Sequence, residues 1–460
     1  MTDFTDLVDL ASERLGGIVL SATDEFFAPK ENLLKPGPAV FIPGKYIDTG
    51  KWMDGWETRR HRAPEHDSCV IRLGAPGIIR GIVVDTAHFT GNFPEKCSLE
   101  ALADFEQWTE ILPPSPLRGD AQNLFEIDNP YRYTHLRFHI YPDGGVARLR
   151  VHGEVVPETL GDFVDLAAVE NGGRVVDASD MYFGSRHNLI FPGRASGMHD
   201  GWETRRSRGE RNDWCIIELA ANGVIKRIEV DTLHYKGNFP ESCEIETEHA
   251  VEILRRTPVQ GHSLHVFEKE LLLAAASRVR FLIFPDGGVS RLRIWGVPTE
   301  EGRAAHRLRL INAWTPGLAF RKLFECCASA RWANEMVAAR PFASWSEAEE
   351  TADEIWKGAT REEILEAFAA HPSIGDYKGA DEQAGVRAAT ETTLEELSRL
   401  NREYVSRFGY IYIVCAAGKS GEEMLALLRQ RLNNDSELEL AVAAEEQRLI
   451  TQLRLRKIGS

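Results

Sequence analysis

The sequence predicts two tandem all-β sandwiches of jelly-roll type followed by an all-α helical bundle. Three observations carry this reading. The first half of the chain repeats itself, each copy is punctuated into short β-like runs, and beyond about residue 300 the apolar residues fall at helical spacing.

The repeat is plainest in its polar motifs. DGWETRR stands at 54–60 and again at 200–206, and DTAHFTGNFPEKC (85–97) returns as DTLHYKGNFPESC (231–243). PDGGVARLRVHG (142–153) returns as PDGGVSRLRIWG (285–296). Order and spacing are kept, and the period far exceeds the roughly 20–50 residues of solenoids and propellers. Each copy should therefore be a domain with its own core, over 8–155 and 160–300.

Within the copies, Cys69–Leu73, Gly81–Asp85 and Arg137–Tyr141 read as strands, as do their counterparts Cys215–Leu219, Ile228–Asp231 and Arg280–Phe284. Each run ends in turn chemistry such as GAPG, GNFP or PDGG. The cysteines follow the repeat, Cys69 with Cys215 and Cys97 with Cys243. A disulfide inside each copy is geometrically open. Seven cysteines thinly spread, an odd number, favour reduced thiols kept as small buried hydrophobes in a cytoplasmic protein.

A polar stretch around Pro298–His306 should join the repeats to a helical domain at 308–457. There, 318–340 reads as one helix stopped by Pro341, and 346–370 as two amphipathic pieces. Residues 391–409, 420–432 and 435–456 continue in the same style, and only Tyr410–Cys415 looks extended.

Composition narrows the function. The chain has 460 residues, a formal net charge of −16, 43% hydrophobic and 27% charged residues, as in a globular protein of about three domains. An acidic chain without a long Lys/Arg run is poorly suited to nucleic acid. No run approaches the ~20 apolar residues of a membrane span, and the acidic N-terminus is not read as a secretory signal.

DGWETRR suits neither structural period and should lie in a loop at a sandwich end. Its paired arginines fit bidentate capture of a carboxylate, while an Asp-Gly turn held by an Arg–Glu salt bridge is the structural alternative. His88 and His234 follow a strand ending in Asp85 or Asp231. An Asp-x-x-His pair either orients a general acid/base or binds a metal, or the histidine simply closes a strand end. Asn92, Pro94, Asn238 and Pro240 read as turn formers, and PDGG as a hairpin turn without a catalytic role. In the helical part, His371 ends a helix at His-Pro, and Glu382 opens the next element within reach as a proton-transfer partner.

On these motifs the duplicated half resembles the allantoicase family, whose repeats carry GWETRR and DT-x-H-x-x-GN-x-P. The last part resembles OHCU decarboxylase (2-oxo-4-hydroxy-4-carboxy-5-ureidoimidazoline decarboxylase). Its marks are Arg331-Trp332, Arg340-Pro341-Phe342, His371-Pro372, Glu382-Gln383-Ala384-Gly385, Asn401 to Phe408-Gly409, Gly418-Lys419-Ser420 and Leu453-Arg454-Leu455.

The resemblance implies a bifunctional, cytoplasmic ureide-pathway enzyme that acts on allantoate and OHCU and assembles as a homo-oligomer. His371 and Glu382 match the decarboxylase's catalytic pair, with Pro372 beside them. Arg454, ahead of Arg456, matches its substrate-holding arginine. The family's frequent Ser three residues before the Glu is Gly379 here, which removes one hydroxyl contact. For allantoate, Arg59, Arg60, Arg205 or Arg206 would take the carboxylate, and Glu57, Glu203, His88 or His234 the proton transfer. No cofactor is expected for decarboxylation, because the carbanion is delocalised into the ring. A divalent ion such as Mn²⁺ stays open for the duplicated half. Decarboxylation gives allantoin, and a separate enzyme must open that ring to allantoate, so direct channelling is not expected.

The competing reading is a tandem binding module of galactose-binding-like shape with only the helical domain catalytic. Trp56 and Trp202 would then be its sugar platforms, though the acid–arginine cluster beside them fits a small anion better. A further alternative is that one half of the fusion is inactive and serves assembly.

Overall fold

A computed structural model describes residues 4–61, 65–103, 106–206, 212–371 and 391–459. The chain divides into two compact units, one running to Thr315 and one spanning Pro316–Ile458.

Each repeat is built around one long strand, Asp67–Asp85 in the first and Asp213–Asp231 in the second. Every pairing in the two main sheets is antiparallel. The first part of Asp67–Asp85 pairs with Ile18–Ala22 and Arg132–Tyr141, and the sheet continues through Lys96–Leu102 to Thr109–Pro116. Its later part changes partners, to Arg148–Val155 and Gln122–Glu126. Pairing breaks register at Tyr133/His135 and His152/Gly153, where the strand turns from one layer into the other. Asp213–Asp231 repeats this arrangement with Arg174–Ala178, Ala275–Phe284, Arg291–Pro298 and Leu264–Phe267. Alternate residues Cys69, Ile71 and Leu73, then Cys215, Ile217 and Leu219, are buried between the layers.

The expected jelly-roll sandwiches are thus present. All seven cysteines are free thiols, and the four repeated ones are fully buried. Burial pushes the Cys97 and Cys243 thiols up to about 12.

Residues expected to form a polar joint form a helix instead. α1 (Glu300–Ala313) is N-capped by Thr299, whose side chain accepts from Gly302 N, and it packs on strands 213–231 and 291–298. Its buried residues Gly302, His306, Leu310 and Ala313 fall on one face, hidden in sequence among charges.

Among its described residues the second unit holds α2 (Pro316–Cys327), α3 (Ala330–Ala338), α4 (Trp345–Lys357), α5 (Arg361–Ala369), α6 (Glu391–Phe408), α7 (Gly421–Arg431) and α8 (Ser436–Arg456). The single helix expected over 318–340 is two. Ala328 adopts φ +61°, and the Ser329 side chain accepts from Trp332 N, which ends α2 and starts α3. Tyr410–Cys415 is non-helical but forms no strand. Among the described residues no helix is long and apolar enough to cross a membrane.

Candidate functional sites

The GWE core of DGWETRR is a short strand rather than a loop. Trp56–Glu57 pairs with Gly145–Val146 of the PDGG motif, and Trp202–Glu203 pairs with Gly288–Val289. Both tryptophans are fully buried and donate from Nε1 to the carbonyls of Asp24 and Asp180 at 2.8 Å. Buried rings cannot be sugar platforms, so this support for a sugar-binding module is gone. The second glycine of each PDGG lies against the ring of Phe89 or Tyr235, where a Cβ would collide. PDGG therefore does more than turn: it sets the strand that carries the glutamate.

Glu57 is 9% exposed, and burial raises its carboxyl above the ordinary range. Asn92 opposes this by donating from Nδ2 to Glu57 Oε1 at 2.6 Å, and Asn238 donates likewise to Glu203. The chain bends at both asparagines, and their main-chain carbonyls accept from Gly145 N and Gly288 N of the PDGG motifs. Sequence reasoning found the turn and missed the contact to the acid.

Arg59 and Arg205 are exposed and matched in geometry. Arg59 Nε donates to Asp24 Oδ2 at 2.6 Å, with its guanidinium over Phe26 at 5.1 Å. Arg205 Nε donates to Asp180 Oδ1 at 3.1 Å, over Tyr182 at 4.7 Å. The acid partner in each copy is thus an upstream aspartate, not the motif's own glutamate. Although burial opposes it, hydrogen bonds from Phe26 N and Arg59 hold Asp24 below the usual carboxylate range. Arg60 and Arg206 are exposed.

The Asp-x-x-His pairing is not formed. Asp85 Oδ1 accepts from Ala87 N, and Asp231 Oδ1 accepts from Leu233 N. Instead His88 Nε2 meets the Ala39 carbonyl at 3.3 Å, and His234 Nε2 meets the Ala195 carbonyl at 3.0 Å. A carbonyl can only accept, so Nε2 carries a hydrogen, and in the neutral ring the lone pair is on Nδ1. Both histidines sit at left-handed backbone angles, φ +71° and +74°. Asp120 Oδ1 accepts from His88 N at 2.8 Å, whereas His262 Nδ1 does so for His234 N at 3.0 Å.

The copies differ around the histidine. A longer first-copy loop (33–53, against 189–199) stacks Phe41 on His88 and places Lys51 over Phe41 at 4.5 Å. In the second copy Arg194 Nη2 reaches Asp231 at 3.2 Å. Among the described residues, no group of three or more His, Cys, Asp or Glu is placed to hold a metal ion. A cavity of about 690 Å³, lined partly by Phe4, Arg80, Glu154, Arg174 and Phe191, includes none of the four candidate acids and bases.

In the helical unit His371 follows α5, and its Nε2 lies 2.6 Å from Gln447 Oε1 on α8. Arg454, seven residues further along α8, reaches the Cys326 carbonyl at 3.5 Å. Pro372, Gly379 and Glu382 lie outside the described residues.

The fold and its repeated motifs together define an enzyme built of two β-sandwich repeats and a helical unit. Residues 8–156 and 164–299 match the family model of the allantoicase repeat, and 312–456 match that of OHCU decarboxylase. The chain belongs to the allantoicase family and carries an OHCU decarboxylase domain, as a bifunctional ureide-pathway enzyme. It is 48% identical to "Probable allantoicase 2" of Burkholderia pseudomallei over 316 residues, covering 63% of this chain and 94% of that one. The crystal structure of allantoicase from Saccharomyces cerevisiae is 39% identical, covering 63% of this chain and 92% of that chain, with TM-score 0.56. A crystal structure of OHCU decarboxylase in the presence of (S)-allantoin is 39% identical over 30% of this chain and 96% of that chain, with TM-score 0.28.

Proposed function

We propose that the sandwiches hydrolyse allantoate to (S)-ureidoglycolate and urea through the glutamate, histidine and arginine of each repeat, and that the reaction is cytoplasmic. Water supplies the oxygen that ends on the central carbon, and the leaving ureido nitrogen takes a proton. Arg59 and Arg205 present their Nη edges to the substrate carboxylate. Glu57 or Glu203, paired with the Nδ1 lone pair of His88 or His234, supplies acid and base. The observation that carries this reading is a glutamate, buried in the first copy and half-buried in the second, held by an asparagine amide in a motif that also carries an exposed arginine fork, built twice from the same motifs.

In the helical unit OHCU loses carbon dioxide from the carbon that also bears its hydroxyl, beside a ring C=N. The electron pair moves through the ring onto the nitrogen of that C=N, which takes a proton; the hydroxyl proton leaves as a carbonyl forms, and the neighbouring carbon takes a second proton on one face to give (S)-allantoin. His371 with Glu382 handles these protons, Arg454 anchors the substrate, and no cofactor is invoked.

The test separates the two activities in the full chain. Glu57→Gln combined with Glu203→Gln should abolish urea release from allantoate and leave decarboxylation of OHCU intact. His371→Ala should lower decarboxylation by about 10²–10⁴-fold and leave urea release intact. Full urea release by the double variant would overturn the first assignment, and full enantioselective decarboxylation by His371→Ala the second.

A further inference from the structure

We infer that Gln447 is a positioning residue for His371, fixing the imidazole with its hydrogen on Nε2 so that Nδ1 is the atom through which protons move. This rests on the reading that His371 handles the protons of decarboxylation.

Gln447 is fully buried, and its Oε1 lies 2.6 Å from His371 Nε2. An amide could face the imidazole with either end, and here its other end decides. Gln447 Nε2 faces the Cys327 carbonyl at 3.4 Å and Thr451 Oγ1 at 3.3 Å. The carbonyl only accepts. The Thr451 hydroxyl donates its own hydrogen to the main-chain carbonyl of Gln447 at 3.0 Å, so towards the side-chain amide it too is an acceptor. Two acceptors hold the NH₂ end, the amide oxygen faces His371, and the imidazole Nε2 must be the donor.

The same wall holds the substrate arginine. Gln447, Thr451 and Arg454 lie on one face of α8, and Arg454 Nη1 meets the carbonyl of Cys326, next to the one that holds Gln447. A neutral amide suits this position. It orients the ring without the negative charge that would trap a second proton on it. Nδ1 can then take a proton and return the same one.

The experiment is nitrogen-15 NMR of the full-length protein labelled at histidine, with the His371 signals identified by their loss in His371→Asn. Protonated Nε2 with unprotonated Nδ1 in the neutral ring is the expected signature, and the opposite tautomer would overturn the inference without any variant. Gln447→Met keeps the side-chain length and removes the acceptor. It should lower kcat for OHCU by about 10–100-fold, as loss of a partner does for metal-bound histidines, with KM little changed. A change confined to KM, or none, in a variant with unaltered thermal unfolding would also overturn it. If His371→Asn decarboxylates at the full rate, the reading of His371 itself fails, whatever tautomer the spectrum shows.

Discussion

Asn92 donates its side-chain amide to Glu57 across 2.6 Å, tying the GNFP turn to the buried acid of GWETRR. Burial raises the Glu57 carboxyl and this hydrogen bond lowers it. Asn92→Leu removes the lowering contribution, so ionisation of Glu57 should move to higher pH. With Glu57 as base, the acidic limb of kcat/KM for allantoate should shift upward by about one pH unit or less. An unmoved limb in the folded variant would detach Asn92 from the chemistry.

The left-handed angle of His88 carries a second expectation. An L-residue at φ +71° is strained by about 1–2 kcal/mol, and glycine is not. His88→Ala and His88→Gly both delete the imidazole. Both should lose the first repeat's share of urea release alike, yet the glycine variant should unfold at higher temperature, by about 1 kcal/mol in stability. Equal stability of the two would show that the fold does not impose this angle.

Much of this was legible in the chain, and the part that was not has physical causes. The β-runs within 67–85 and 213–231 could be read because alternation recurs in both copies, but GAPG, which reads as a turn after Leu73, lies inside one continuous strand. The identical polar heptapeptides pointed to a candidate site because core packing alone does not demand repeated surface charges. The break at Ala328–Ser329 was hidden because Cys-Ala-Ser-Ala-Arg is compatible with a continuous helix, and only the capping bond to Trp332 N reveals it. The pairing of Asn92 with Glu57, and of Gln447 with His371, joins residues remote in sequence. No periodicity reports such contacts. Asp85 misled for the converse reason: its closeness to His88 in sequence suggested a pair, but its carboxylate caps the turn at Ala87.

Stability should depend on pH through Asp165, whose carboxyl burial raises to about 6 from an ordinary 3.8. Between those values the folded state binds more protons than the unfolded one. This contribution to stability is therefore present at low pH and lost as pH rises through about 6, by on the order of 3 kcal/mol. Asp165→Asn keeps an acceptor for Ile294 N and Ala167 N and should remove this slope between about pH 4 and 6. Chemical denaturation across that range would show it, and an unchanged slope would refute the assignment.

The last expectation decides how many repeats bind substrate. Arg59 and Arg205 each give Nε to an aspartate and lie over an aromatic ring, which orients the guanidinium plane and leaves its Nη edge to meet a carboxylate. Lysine keeps the charge but has no planar fork. Hydrogen bonds to a charged group contribute about 1.5–3 kcal/mol, so losing the fork should raise KM for allantoate by about 10–100-fold. Both arginines are exposed, and their ion pairs contribute little to stability, so thermal unfolding should hardly move. If each copy works, Arg59→Lys and Arg205→Lys should each remove about half of the tight-binding turnover, and only the double variant should lose all of it. If one copy is a scaffold, a single substitution should reproduce the double variant and the other should be silent. If neither substitution changes KM, the arginines of GWETRR do not hold the substrate carboxylate.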